Sequence, residues 1–243
     1  MIQASRGEMM QAVILAGGLG TRLKPLTEEI PKSMIQIQGK PFLEHQLNLL
    51  RQGGISDIVL CVGYLGEKIK EYFGDGKGFG VKIEYSEETE KLLGTAGALK
   101  NAWDLLDDTF FVTYGDAYLI LDYRGVMGYF KKFNKLGLMV VLKNFDRYDK
   151  SNVVVEGDLI KVYDKQRRAP DMVYIDFGVS VLRKKALDLV PKGKVIDLEE
   201  FYHELIRRKE LLAFETQQRF YEVGSQKGLE EFERLVSSGQ IKI

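Results

Sequence analysis

The sequence predicts an α/β protein with a doubly wound, mostly parallel mixed sheet and added hairpin strands in its second half. Three observations predict it. Short, continuous apolar runs bounded by glycine or aspartate recur through the first 142 residues, the pattern of strands buried on both faces. Segments with helical apolar spacing separate those runs. Beyond residue 143 the rhythm changes to β-type runs joined by tight turn signals such as Gly157-Asp158.

Taken in order, Ala12–Ala16 is the first buried strand. Pro41–Gln52 has apolar positions at Phe42, Leu43, Leu47, Leu49 and Leu50 and is stopped by Gly53-Gly54, so it is a helix. Asp57–Val62 is the second buried strand, Gly66–Phe73 a short helix, and Val81–Tyr85 a more exposed strand. Thr95–Leu106 is helical, Thr109–Tyr114 a buried strand, Tyr123–Asn134 a helix and Gly137–Leu142 a strand. Asn152–Glu156 and Leu159–Tyr163 make the hairpin. Ile175–Leu182 is a strand whose Gly178 marks a bulge or a close approach to a ligand. Lys184–Val190, Leu198–Lys209 and Leu229–Ser237 read as helices, and Leu211–Glu215 and Arg219–Val223 as strands. Residues 1–10 form a short extension, and 11–243 a single domain without internal repeats or linkers.

Lys+Arg and Asp+Glu each number 35 in 243 residues, so no global basic field favours nucleic acid or an anionic membrane. The one cysteine, Cys61, lies in an apolar run. It excludes an internal disulfide framework and suits a reducing compartment. No run of about 18 apolar residues is present, and the leader lacks the apolar core of a secretory signal. The expectation is a cytoplasmic protein.

Chemistry concentrates first in Leu15-Ala16-Gly17-Gly18-Leu19-Gly20-Thr21-Arg22-Leu23-Lys24-Pro25-Leu26-Thr27, followed by Pro31-Lys32. Glycines after a buried strand let backbone N–H groups approach an anion closely, and Arg22, Lys24 and Lys32 add charge-assisted bonds to phosphate oxygens. Two glycines alone are as readily a tight turn; Gly20 and three cations favour a polyphosphate cradle. Leu23 stands where a dinucleotide fingerprint needs its third glycine, and no G-x-x-x-x-G-K-[ST] occurs. Asp116 follows Thr109–Tyr114 and Gly115, at the carboxyl end of a buried strand. It is a turn residue in one reading and a Mg²⁺ ligand beside the cradle in the other. His45 and His203 fall in helical segments without metal-ligand spacing and read as structural.

The string LAGGLGTRLKPLT…PK, the segment Leu93-Gly94-Thr95-Ala96-Gly97-Ala98, the strand-end Gly115-Asp116 and Phe220-Tyr-Glu-Val-Gly-Ser225 occur in order over nearly the whole chain. Together they resemble the sugar-1-phosphate nucleotidylyltransferases, within them the short bacterial branch of heptose-1-phosphate guanylyltransferases and N-acetylmuramate-1-phosphate uridylyltransferases. The resemblance implies a Rossmann-like fold with a nucleotide-binding part at about 11–142 and a sugar-binding part at about 143–243. It implies that Leu15, Ala16, Gly17, Gly18, Gly20, Thr21, Gly94, Thr95, Gly97 and Gly115 bind nucleotide. Arg22 and Lys32 act on the phosphates, and Lys165 contacts the sugar phosphate. Asp116 and Glu222 hold Mg²⁺, and Asp176 and Gly178 lie against the sugar. Tyr118 and Tyr174 read first as core or wall residues, and as sugar contacts in the other reading.

The chain departs from that family at Ser33 for proline after Lys32, Gln166 for proline after Lys165, Asp176 for asparagine and Glu222 for aspartate. The implied reaction joins an NTP to a sugar 1-phosphate, with GTP and a heptose 1-phosphate preferred over UTP or CTP and N-acetylmuramate 1-phosphate. Two other classes stay in view: a non-catalytic nucleotide-sugar-binding regulatory subunit and a nicotinamide-dependent oxidoreductase. By size, a homodimer is the expected assembly.

Overall fold

The computed structural model describes residues 10–243; of the expected extension, residues 1–9 lie outside the described residues. The elements run β1 (Met10–Leu15), β2 (Gln36–Ile37), β3 (Lys40–Pro41), α1 (Phe42–Gln52), β4 (Ile55–Val62), α2 (Gly66–Phe73), β5 (Lys82–Glu87), α3 (Gly94–Asn101), β6 (Thr109–Tyr114), β7 (Ala117–Leu119), α4 (Tyr123–Phe130) and β8 (Gly137–Lys143). They continue with β9 (Val153–Glu156), β10 (Leu159–Tyr163), β11 (Tyr174–Arg183), α5 (Leu198–Arg207), β12 (Leu211–Thr216), β13 (Phe220–Glu222) and α6 (Gln226–Ser237). Met10 already belongs to β1 and is buried, one residue before the expected domain start.

One nine-stranded sheet, ordered β5-β4-β1-β6-β11-β8-β12-β10-β9, carries the molecule. β5, β4, β1 and β6 are mutually parallel, as their unbroken apolar runs require. β11 enters antiparallel between β6 and β8, and β12 returns parallel to β8. The strands are therefore mixed, with parallel pairing concentrated in the first half and the β9–β10 hairpin at the far edge. Because β11 reverses direction, the carboxyl ends of β1, β4, β5, β6, β8 and β12 and the start of β11 share one edge.

Helices cover both faces, which is the doubly wound arrangement. Ala12 and Ile14 of β1 face Leu43 and Leu47 of α1, Ile69 of α2 and Phe130 of α4. Val13, between them, faces Ala96 and Leu99 of α3 and Phe201 and Leu205 of α5. A third, smaller cluster joins α6 through Leu229, Phe232 and Val236 to Phe42 and Ile37. That cluster seats a two-stranded ribbon, β7 with β13, above the carboxyl edge of β6. The three-residue β7 was not expected from the sequence. Among the described residues no helix is long and apolar enough to cross a membrane.

Candidate active site

The glycine loop leaves β1 at the shared edge and is held by its own motif. Gly20 adopts a left-handed backbone (φ +63°), and the Thr27 hydroxyl donates to its carbonyl at 2.9 Å. A methyl at Gly20 would stand 2.9 Å from the Thr27 side chain, so only glycine fits the clamp. Gly115 lies on the other side of the loop, its N–H donating to the Leu15 carbonyl at 3.0 Å. Leu15, Ala16, Gly17, Gly18, Lys32, Gly94, Thr95 and Gly115 line one cleft of about 250 Å³. Ser33 also lines it, its buried hydroxyl without a hydrogen-bond partner.

Asp116 follows β6 on a turn strapped down from below. Gln46, a buried polar residue in the apolar face of α1, donates its amide hydrogens to the carbonyls of Tyr114 (2.8 Å) and Ala117 (2.9 Å). The Lys32 ammonium reaches Asp116 Oδ2 at 2.5 Å, so the Pro-Lys segment and the strand-end carboxylate are one ion pair. The β7–β13 ribbon pairs Ala117 with Glu222, and the Val223 N–H donates to the Asp116 carbonyl at 2.8 Å. Glu222 is fixed from its own turn: Oε2 accepts from the Gly224 N–H (2.6 Å) and Oε1 from the Ser225 hydroxyl (2.5 Å).

Gly224 is where these groups meet. A methyl built there would lie 2.2 Å from Asp116 Oδ2, 2.9 Å from Glu222 Oε2 and 3.2 Å from Arg22 Nη2. Residues remote in sequence thus place two carboxylates and a guanidinium around one point, with Lys32 beside them. Thr21 and Arg22 are exposed in the short turn after Gly20.

On the second-half side, Asp176 sits next to the bulge expected at Gly178, where the β11–β8 register breaks and φ is +89°. Asp176 Oδ2 accepts from the Tyr163 hydroxyl and Oδ1 from the Gly178 N–H, both at 2.9 Å. Burial pushes the Asp176 carboxyl above its usual range, and the nearby Lys165 charge opposes that shift. Lys165 is exposed, its ammonium 5.5 Å from the Tyr163 ring.

Three expected site residues are placed elsewhere. Tyr118 is buried against Phe42 and Phe232, with its hydroxyl donating to the Lys242 carbonyl, because the ribbon turns this side chain into the third cluster. Tyr174 donates to Glu215 at 3.1 Å and lines a separate hollow with Val141 and Phe214. Gly97 is buried beneath the segment before α5: a methyl there would meet the Lys194 carbonyl at 2.8 Å. The amides at the start of α3 are taken up within the protein, Ala96 and Gly97 donating to the Ile196 carbonyl and Thr95 to Asp197, while Gly94 and Thr95 still line the cleft. His45 and His203 bond the carbonyls of Ile37 and Tyr163, as structural histidines do.

The nucleotidyl transferase family model matches residues 11–167, most of the chain and all of the loop, Lys32 and Asp116. The chain belongs to this family. D-glycero-alpha-D-manno-heptose 1-phosphate guanylyltransferase of Campylobacter jejuni is 36% identical to it over 88% of this chain and 95% of its own length. The protein of the same name from Aneurinibacillus thermoaerophilus is 30% identical over 88% of this chain and 93% of its own. HddC from Yersinia pseudotuberculosis, solved with GMP-PN, superposes with a TM-score of 0.75 at 28% identity, covering 92% of this chain and 97% of that one. As a nucleotidyl transferase the protein is an enzyme, and the family is the one its sequence motifs resemble. Gly224, Gln46 and Ser225 were not anticipated as site residues. A polar Gln46 inside an apolar helical stripe was the one local signal that a buried bond awaited it.

Proposed function

We propose that the enzyme transfers a guanylyl group from GTP to a D-glycero-α-D-manno-heptose 1-phosphate, releasing pyrophosphate, with Mg²⁺ as cofactor. The observation that carries the reaction is the meeting of Arg22, Asp116 and Glu222 about Gly224, joined to the glycine-lined cleft through Lys32, which lines the cleft and pairs with Asp116. The nucleotide and sugar are supported by the two guanylyltransferases matched over nearly their full length.

Backbone N–H groups of Gly17–Thr21 and the Arg22 guanidinium hold the β- and γ-phosphates, and Lys32 neutralises charge as pyrophosphate departs. Lys165 holds the sugar phosphate. Asp176 keeps unused lone pairs on both oxygens and offers them to sugar hydroxyls. The attacking phosphate oxygen needs no protein base, so these residues work by alignment and charge. Among the described residues no cluster of three metal-binding side chains exists; Asp116 and Glu222 form a pair. A carboxylate pair beside a phosphate site fits Mg²⁺, which Asp116 and Glu222 would hold. Bound there, Mg²⁺ supplies charge neutralisation and orientation of the phosphates. The buried Cys61, a free thiol that donates to the Ala98 carbonyl, suits a reducing cytoplasmic setting.

GTP, UTP, CTP and dTTP, each paired with a panel of sugar 1-phosphates and read by pyrophosphate release, test this. The expected result is the highest kcat/KM for GTP with the heptose phosphate, dependent on added Mg²⁺. Turnover with another NTP and none with GTP overturns the donor, and nucleotide binding without any turnover overturns the reaction.

A further inference from the structure

α3 and α5 begin beside one another and satisfy each other's first amides. The opening N–H groups of a helix have no partner inside it. Ala96 and Gly97 donate theirs to the Ile196 carbonyl at 2.9 and 3.1 Å, and the Leu198 N–H donates to the Thr95 hydroxyl at 2.7 Å. Asp197 stands at the N-cap of α5, where an aspartate usually accepts from its own helix. It makes no such bond. Its Oδ1 accepts instead from the Thr95 N–H at 3.2 Å and the Thr95 hydroxyl at 3.5 Å. The fit leaves no slack: a methyl at Gly94 would lie 2.6 Å from the Ile196 carbonyl and 2.9 Å from Asp197 Oδ1.

The same turn also reaches the second half of the chain. Glu199 Oε1 accepts from the Lys165 N–H at 3.0 Å. Further along α5, His203 Nε2 donates to the Tyr163 carbonyl at 2.7 Å, and the Tyr163 hydroxyl donates to Asp176. Tyr202 donates to the Ser180 hydroxyl on β11 at 2.8 Å. Leu198, Phe201, Tyr202 and Leu205 are buried, so packing holds the helix itself in place. The start of α5 therefore grips Thr95, which lines the cleft, with one side chain and the backbone of Lys165 with another.

We propose that the first turn of α5 holds the two substrate sites in register, with Asp197 and Glu199 as its positioning residues. This rests on the glycine-lined cleft being the nucleotide site and on Lys165 holding the sugar phosphate. In-line attack needs the sugar phosphate oxygen aligned with the α-phosphorus of the nucleotide, and that alignment belongs to both sites together. Each substrate meets its own site whether or not the two are in register. Loosening either end of the turn therefore lowers turnover and leaves the binding of nucleotide alone unchanged. Asp197 is exposed and Glu199 half-buried, so truncating either opens no hole in the core.

The test uses the best substrate pair from the panel above, expected to be GTP and the heptose phosphate. It measures kcat, both KM values and the calorimetric Kd of the nucleotide alone in wild type, Asp197→Ala, Glu199→Ala and the double variant, with thermal melting as the check on folding. Each single variant is expected to lower kcat roughly 10- to 100-fold, with the nucleotide Kd within about threefold of wild type. Asp197→Asn and Glu199→Gln keep an oxygen for the same N–H groups and are expected to hold kcat within about threefold of wild type. The double variant is expected to be no more than about threefold slower than the slower single one, because one loose end already frees the turn. Wild-type kcat in either folded alanine variant overturns the proposal. Losses that multiply in the double variant overturn it too, since each residue then serves its own site alone. A weakened nucleotide Kd with kcat kept makes Asp197 a nucleotide contact and refutes its positioning role. A wild type without turnover on any pair of the panel overturns the reading on which the proposal rests. Should one alanine variant not fold, the other decides alone.

Discussion

Gly224→Ala adds a single methyl at the point where the phosphate-side groups converge. Its carbon would lie 2.2 Å from Asp116 Oδ2, so that oxygen must retreat by roughly 1 Å to reach van der Waals contact. Asp116 Oδ2 is also the atom that Lys32 grips, so the retreat stretches the ion pair and weakens or removes its hydrogen bond. One lost charge-assisted hydrogen bond is worth about 1.5–3 kcal/mol, and a 1 Å misplacement of a catalytic group costs on the order of 10²-fold. Acting together they lower kcat/KM roughly 10²- to 10⁴-fold. The fold is expected to persist, since Gly224 is not in the left-handed backbone region and overpacking costs about 1–3 kcal/mol. Pyrophosphate release and thermal melting measure the two effects separately. Gly128→Ala in α4 is the control, because a methyl there meets nothing within 4 Å. If Gly224→Ala kept kcat/KM close to wild type, the convergence of Arg22, Asp116 and Glu222 would not be the reaction centre.

Asp116→Asn removes the partner of Lys32 and one member of the carboxylate pair while preserving shape. Turnover is expected to fall roughly 10²- to 10³-fold, with a much higher Mg²⁺ requirement in a metal titration; undiminished turnover would remove Asp116 from the mechanism. Asp176→Asn addresses the buried carboxylate. Its carboxyl binds the proton more tightly in the folded chain than in the unfolded one, so wild-type stability falls as pH rises from about 4, the unfolded value, through the raised folded value. The variant lacks that loss. Its urea midpoints are therefore expected to gain on wild type with rising pH across this window, and parallel curves would contradict the burial assigned to Asp176.

How much was legible varied with how local each cause was. β6 was read with its observed bounds, because an apolar run cut off by glycine defines its own ends. The bulge at Gly178 was also readable, since one glycine inside a strand has few other uses. β7 was not: three residues form a strand only because β13 lies beside them. Tyr118 and Tyr174 read from the sequence as core or wall residues that could also touch the sugar, and nothing local decides between the two. Strand alternation and the docking of α6 turned one into the core and the other toward Glu215. Gly97 belongs to a motif that includes cleft-lining residues, yet its missing side chain makes room for the 194–196 segment instead.

By itself the sequence determined the alternation of buried strands and helices, the glycine loop with its cations, and the family, because hydrophobic period and backbone freedom act over a few residues. Only the tertiary structure decided that Lys32 pairs with Asp116, that Gln46 straps the turn bearing it, and that Gly224 keeps a space between two carboxylates and an arginine. It also set the start of α5 against both Thr95 and Lys165. Those arrangements depend on which strand ends share an edge, and that is settled by sheet order and packing across the whole domain.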